Sequence, residues 1–225
     1  MKAREHMLNK AAKTAKGRER VRALLEHAID VFIDSGFEGA SVDRIVRMAG
    51  GSKSTIYHSF GSKKGLFLAT LEMMADDLYE ACIADYQPGR TLLEDLHAFG
   101  GTFLRGILAP RSIALMRLVY AQASRVPEVG AWFYQGGIKA SYLGFAKVLE
   151  NHIDAPLKEL EEVAALFLEA LRGRLFQKAL CLPEGAVREE EIEADLALGI
   201  DFVSAYIREK YAGRLFDAAS AHQAH

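Results

Sequence analysis

The sequence has little cysteine and no pair of cysteines placed to act together. Cys82 and Cys181 are far apart and belong to no CxxC motif, which suits small buried hydrophobes of a reduced protein better than a disulfide frame or a thiolate metal site. Long apolar runs are missing as well. No stretch is long enough to cross a bilayer, and the first twenty residues lack the apolar core of a signal peptide. The expectation is a cytoplasmic protein with no membrane partner. Proline is scarce, and Pro110, Pro127, Pro156 and Pro183 each fall between helical segments rather than inside them. No run shows strand alternation bounded by hairpin turns, and there is no repeat or low-complexity tract. Signatures of chemistry are equally thin. No Gly-x-Ser-x-Gly elbow or phosphate-binding glycine loop occurs. Glu94-x-x-His97 is half of a di-iron helical signature with no second half in the body, and His58 has no second ligand at metal-binding spacing. No catalytic group, metal or cofactor is expected.

What is present is ordinary in amount and uneven in distribution. The chain has 225 residues, of which 50% are hydrophobic and 26% charged, enough for one or two small domains with a full core. The net charge of −2 conceals a basic first part on an acidic body: residues 1–70 hold 13 Lys and Arg against 7 Asp and Glu, residues 71–225 hold 15 against 23. That asymmetry points to an anionic partner for the first part only, without separating nucleic acid from an anionic membrane.

The stretch Ser41–Lys63 is the most informative. Ser41 can cap a short helix carrying Val42, Ile45, Val46 and Ala49 at helical spacing. Gly50-Gly51 ends it, because glycine takes positive φ readily. Ser52 can cap a second helix, in which Ile56 and Phe60 point inward four residues apart. The opposite face then offers Lys53, Ser54, Thr55, Tyr57 and His58, donors and rings of the kind a helix in the DNA major groove presents. Solvent-facing polar residues would be the bland alternative.

The rest reads as helix throughout, so the predicted fold is all-α. Residues 1–17 form a basic arm, either a solvated tail or an arm touching phosphates or the minor groove. Arg18–Ser35 carries a 3.6-residue apolar stripe that Gly36 stops, and Ser62 can cap a helix over Lys63–Ala84. Gln87-Pro88-Gly89 is a turn and a candidate domain boundary. Helices follow over Thr91–Leu108, Arg111–Arg125, Glu128–Ile153, Leu157–Cys181 and Glu189–Tyr211. Gly100-Gly101 and Gly136-Gly137 fall inside helical patterns and suggest kinks or close contacts.

Three consecutive helices carry a family pattern. Ala28-x3-Phe32-x3-Gly36-Phe37, then Ser41-Val42-x2-Ile45-x3-Ala49-Gly50, then Ser52-Lys53-Ser54-Thr55-Ile56-Tyr57-His58-x-Phe60-x2-Lys63-x2-Leu66-Phe67 resemble the N-terminal domain of TetR-family transcriptional repressors. Arg117-Leu118-Val119-Tyr120-Ala121 and Phe133-Tyr134 are similar to one subgroup of efflux-type regulators. The resemblance implies a helix-turn-helix DNA-binding domain at residues 18–68 and a ligand-binding and dimerisation bundle at 69–225. It also implies a homodimer on a palindromic operator, and release of the DNA when a small molecule binds.

Carried over to this chain, the DNA-contacting positions are Ser41, Arg44, Ser52, Lys53, Ser54, Thr55, Tyr57, His58 and Lys63, the last gripping a phosphate. Gly51 stands where the family often has an apolar residue, and contacts at Val42 and Asp43 are not expected. For the effector, His97, Phe103, Met116, Arg117, Tyr120, Trp132, Phe133 and Tyr142 suggest an apolar or aromatic molecule with a few polar handles. For dimerisation, the last two long helices carry stripes that include Ala164, Leu168, Leu171, Leu175, Leu196, Ile200, Val203 and Ile207. Two alternatives stay open at this point: control by a protein partner instead of a small molecule, and a helical-bundle enzyme or carrier with incidental basic charge.

Overall fold

The computed structural model describes residues 14–50, 52–84 and 90–216. Residues 1–13 of the expected arm, Gly51, the Gln87-Pro88-Gly89 turn and the tail beyond 216 lie outside the described residues. Among those described, every named element is helical, and a bridge pairs Ile153 with Leu215. The elements are α1 (Ala15–Gly39), α2 (Val42–Ala49), α3 (Lys53–Phe60), α4 (Lys63–Ala84), α5 (Leu92–Leu108), α6 (Pro110–Ala123), α7 (Pro127–Trp132), a π-helical stretch Phe133–Lys139, α8 (Ala140–Leu149), α9 (Leu157–Cys181) and α10 (Glu189–Lys210).

The chain forms two compact units. The first comprises residues 1–77 and 114–137, the second 78–113 and 138–225. The division therefore falls inside α4, between Asp77 and Leu78, and the segment 114–137 returns to the unit that holds the first helices.

The first unit is built on the stripe of α1. Leu25, Ala28, Ile29 and Phe32 are buried, each stabilising the core by roughly 1.5–3 kcal/mol for the larger side chains. The helix begins at Ala15, three residues before the sequence pattern suggests, because Thr14 accepts a hydrogen bond from the Gly17 amide at 3.1 Å. It breaks at Gly36, with φ 68° and ψ 171°, and the turn that follows folds Phe37 back onto the core. The Phe37 ring centroid lies 5.3 Å from that of Phe67, and Phe67 lies 4.9 Å from Phe32, both edge-on. Leu115, Val119 and Val129 join this same core from the later segment.

The second unit packs α5, α8, α9 and α10 around Leu96, Phe99, Phe145, Phe167, Leu171 and Leu196. A capping box opens α5: the Glu94 amide donates to Thr91 Oγ1, and the Thr91 amide donates to Glu94 Oε2 at 2.7 Å. Glu94 is thus engaged in helix initiation. Phe145 bridges Phe99 and Phe167 with ring centroids 4.6 and 5.2 Å away. At Gly100 a Cβ would stand 2.7 Å from the Phe167 ring, so the missing side chain is what lets α5 lie against α9. Charge pairs tie the edges: Arg105 to Glu189 and Glu193, Arg174 to Asp195, Lys178 to Glu191. The Phe216 amide donates to the His152 carbonyl at 2.9 Å, tying the segment after α10 to the α8–α9 loop.

One expected helix is not continuous. Where the pattern reads Glu128–Ile153 as a single element, the structure has α7, the π-helical stretch and α8, ending at Leu149. Gly136 lies inside the widened turns, and a Cβ there would sit 3.0 Å from the Trp132 indole. The wider π turn accommodates the Trp132 indole over the glycine.

Candidate nucleic-acid interface

The interface begins with three backbone punctuation marks. Gly50 has φ 73° and closes α2 in a conformation that side chains other than glycine rarely adopt. Ser52 then caps α3: its Oγ accepts from the Thr55 amide at 3.1 Å and lies 2.9 Å from Thr55 Oγ1. Gly61, with φ 74°, ends α3, and Ser62 Oγ accepts from the Gly65 amide at 3.0 Å as α4 begins.

α3 is anchored by Ile56 in the first core, with Phe60 packed against it. Ile56 is 1% exposed, while Lys53, Ser54, Thr55, Tyr57 and His58 all face solvent, Tyr57 at 47%. The expected reading face is therefore exposed to solvent, on a helix whose position in the first core Ile56 and Phe60 hold. Ser41 precedes α2 in extended conformation without a side-chain cap bond, and it too is exposed.

Two cations expected to contact DNA have partners within the unit. Lys63 Nζ donates to the Glu38 carbonyl at 2.9 Å and to the Ala40 carbonyl at 3.4 Å, and lies 5.1 Å from the centre of the Phe37 ring. It clamps the α1–α2 turn, with one N–H of its ammonium left over. Arg44 pairs with Asp34 and donates to Ser35 Oγ at 3.0 Å. The Arg44 guanidinium holds the Asp34 carboxyl below the usual carboxylate range. Lys53 meets Asp43, a residue for which no role was expected, at 2.6 Å.

The residues expected to bind a ligand divide between the units. Met116, Trp132 and Phe133 pack against the first core, with exposed Arg117 and Tyr120 in the same unit. The Tyr120 and Phe133 rings meet edge-on at 5.8 Å. His97, Phe103 and Tyr142 belong to the second unit, where His97 is exposed and Phe103 buried. The Tyr142 hydroxyl donates to Glu169 at 2.6 Å, and burial, helped by that carboxylate, pushes it up to about 12. Arg172 pairs with the same Glu169 and stands over the Phe103 ring at 5.7 Å. Sequence reasoning named neither Glu169 nor Arg172.

A recess of about 10 Å³ lies among Cys82, Ile83, Arg90, Asp95, Phe99 and Val148. Asp95 is buried beside it and paired with buried His152 at 2.7 Å. That volume suits about one water, whereas an effector pocket takes roughly 300–1,000 Å³. Burial pushes the Cys82 thiol up to about 12, leaving it inert.

The eight residues expected at the dimer interface all lie in the second core, none above 4% exposure. They close their own unit. The outward face of the same helices is also apolar: Leu166, Ala170 and Gly173 on α9, and Ala194, Leu198, Phe202 and Ala205 on α10, are all exposed.

Known proteins match both parts. The model of bacterial regulatory proteins of the tetR family matches residues 24–70, and that of the AefR-like transcriptional repressor C-terminal domain matches residues 94–207. The chain belongs to the TetR family. The TetR family consists of transcriptional regulators, so this chain is a DNA-binding regulator and not an enzyme. It is similar to the HTH-type transcriptional regulator BetI of Rhizobium meliloti, 29% identical over 198 residues, 87% of this chain and 93% of that one. It is also similar to IcaR of Staphylococcus aureus, a negative transcriptional regulator of a biofilm operon, 24% identical over 175 residues, 75% of this chain and 89% of IcaR. In fold it matches a TetR-family regulator from Mesorhizobium loti at TM-score 0.69 and 22% identity, covering 86% of this chain and 98% of that one. The flavonoid-responsive regulator FrrA matches at TM-score 0.61 and 25% identity, covering 84% and 96%. Among the described residues, no helix of this TetR-family member is long and apolar enough to cross a membrane.

Proposed function

We propose that this chain is a repressor that binds a palindromic operator as a homodimer and releases it when a small, largely apolar or aromatic molecule binds. The observation that carries the DNA half is α3: one buried anchor, Ile56, beneath five exposed donors and rings. Repression is supported by the match of residues 94–207 to a repressor's C-terminal domain and by the likeness to the negative regulator IcaR. The homodimer is supported by the apolar outward face of α9 and α10, where Leu198 is 66% and Phe202 57% exposed.

The effector class is supported by the soft and aromatic residues gathered within the first unit, Met116, Tyr120, Trp132 and Phe133, with Tyr120 and Arg117 as polar handles. FrrA, a structural relative, responds to flavonoids, which are aromatic. A panel of flavonoids, other hydrophobic aromatics and charged metabolites should separate them by melting temperature. An aromatic compound at 100 times its Kd is expected to stabilise by about 2.7 kcal/mol and to lower duplex affinity. Stabilisation by charged metabolites alone would sink the effector assignment.

A further inference from the structure

Lys53 Nζ lies 2.6 Å from Asp43 Oδ1, joining the start of α3 to the first turn of α2. Asp43 is the single acidic residue between Ser41 and Lys63, in a stretch otherwise made of donors, cations and apolar anchors. Both side chains are more than half exposed, at 56% and 57%. Such a pair is screened by water and adds little to folding. What it changes is where the ammonium is held. A lysine opening a helix sweeps a wide volume on four rotatable bonds, and a carboxylate on the neighbouring helix restricts that sweep.

The restricted pair has a defined set of free valences. The ammonium has three N–H donors and need not spend all of them on Asp43, while Asp43 keeps Oδ2 as an acceptor. In the major groove, guanine shows acceptors at O6 and N7, and cytosine shows a donor at N4. A linked ammonium and carboxylate therefore matches the two edges of a G·C pair, one partner to each base. An isolated carboxylate near DNA would meet only phosphate repulsion, which Lys53 cancels here. We propose that Asp43 and Lys53 act as one base-reading unit that selects a G·C pair in each operator half-site, with Asp43 the specificity-determining member. This inference rests on the reading of α3 as the helix that meets DNA.

The test is selection of duplexes from a random pool by the full-length protein, its Asp43→Ala variant and its Lys53→Met variant. Asp43→Ala is expected to cost about tenfold or more in discrimination at one base pair per half-site, with preferences elsewhere kept. Lys53→Met is expected to relax the same base pair or its neighbour. Because Asp43 is exposed, the melting temperature should move by no more than about 2 °C. An Asp43→Ala profile identical to that of the wild type, with affinity raised or lowered alike for every sequence, overturns the inference and leaves Asp43 a mere local charge. A wild-type protein that enriches no sequence overturns the underlying DNA reading instead.

Discussion

Replacing Leu198 and Phe202 together by glutamate is expected to give a folded monomer with at least a hundredfold weaker hold on its operator. The two residues stand four apart on the outward face of α10, 66% and 57% exposed, and Leu166 of the neighbouring α9 is 44% exposed. Ala170 of α9 and Ala194 and Ala205 of α10 continue the same faces with small side chains, up to the kink of α9 at Gly173, where φ is 9° and ψ −123°. Small residues let helices approach, and large ones anchor the contact. Two such helices from each protomer suit a four-helix interface around a two-fold axis. Glutamates at its centre would have to be buried unpaired, which costs several kcal/mol. The own-unit core is untouched, since Leu196, Ile200, Val203 and Ile207 point the other way. A palindrome is held by two heads, the second acting at an effective concentration set by the tether, so a monomer forfeits an avidity of about 10²–10⁴. Sedimentation velocity and duplex titration check this. A variant that stays dimeric at micromolar concentration would move the interface elsewhere.

The second large effect is expected from Phe167→Ala. Phe167 is fully buried at the meeting of α5, α8 and α9. Its ring lies 5.2 Å from that of Phe145 and rests against Gly100. Truncation removes the aromatic contact and leaves a cavity that Gly100 has no side chain to fill. The expected cost is about 3–5 kcal/mol, or a fall in Tm of roughly 6–20 °C for a chain of this size. Calorimetric or circular-dichroism melting measures it. A loss below about 1 kcal/mol would mean that the site collapses freely, against the packing described.

Much of the helix plan was legible because local signals agreed. Pro156 before α9 and Pro183 after it bound the helix Leu157–Cys181 at the residues expected. Ser52 could be read as a cap from its place after the glycines, and its bond to Thr55 follows. The reading face of α3 was legible because an eight-residue helix with Ile56 inward leaves few choices for the rest. The π-helical stretch was not. Gly136 and Gly137 marked an irregularity, but the widened turn depends on the Trp132 ring, a tertiary matter.

The interface residues show a deeper limit. A 3.6-residue stripe identifies the face that is buried, not what buries it. α10 carries two apolar faces, and the stronger one, through Leu196 and Ile200, belongs to its own core. The i,i+4 pair Leu198 and Phe202 was visible in the sequence, yet only a structure shows it unpartnered among the described residues. The same holds for Lys53 and Asp43, ten residues apart in sequence, whose 2.6 Å approach appears only in three dimensions. Lys63 is a third case: one lysine can grip a phosphate or clamp a turn, and its bonds to Glu38 and Ala40 appear only in three dimensions.

In the proposed repressor, two copies of α3 read two related half-sites. Selection of random duplexes by the full-length protein, followed by affinity measurement of the enriched sequence across salt concentrations, tests it most directly. Two inverted half-sites at fixed spacing should be enriched and bound by a dimer, with affinity falling steeply as salt rises. No enrichment, or a single half-site bound equally well by a monomer, would contradict it.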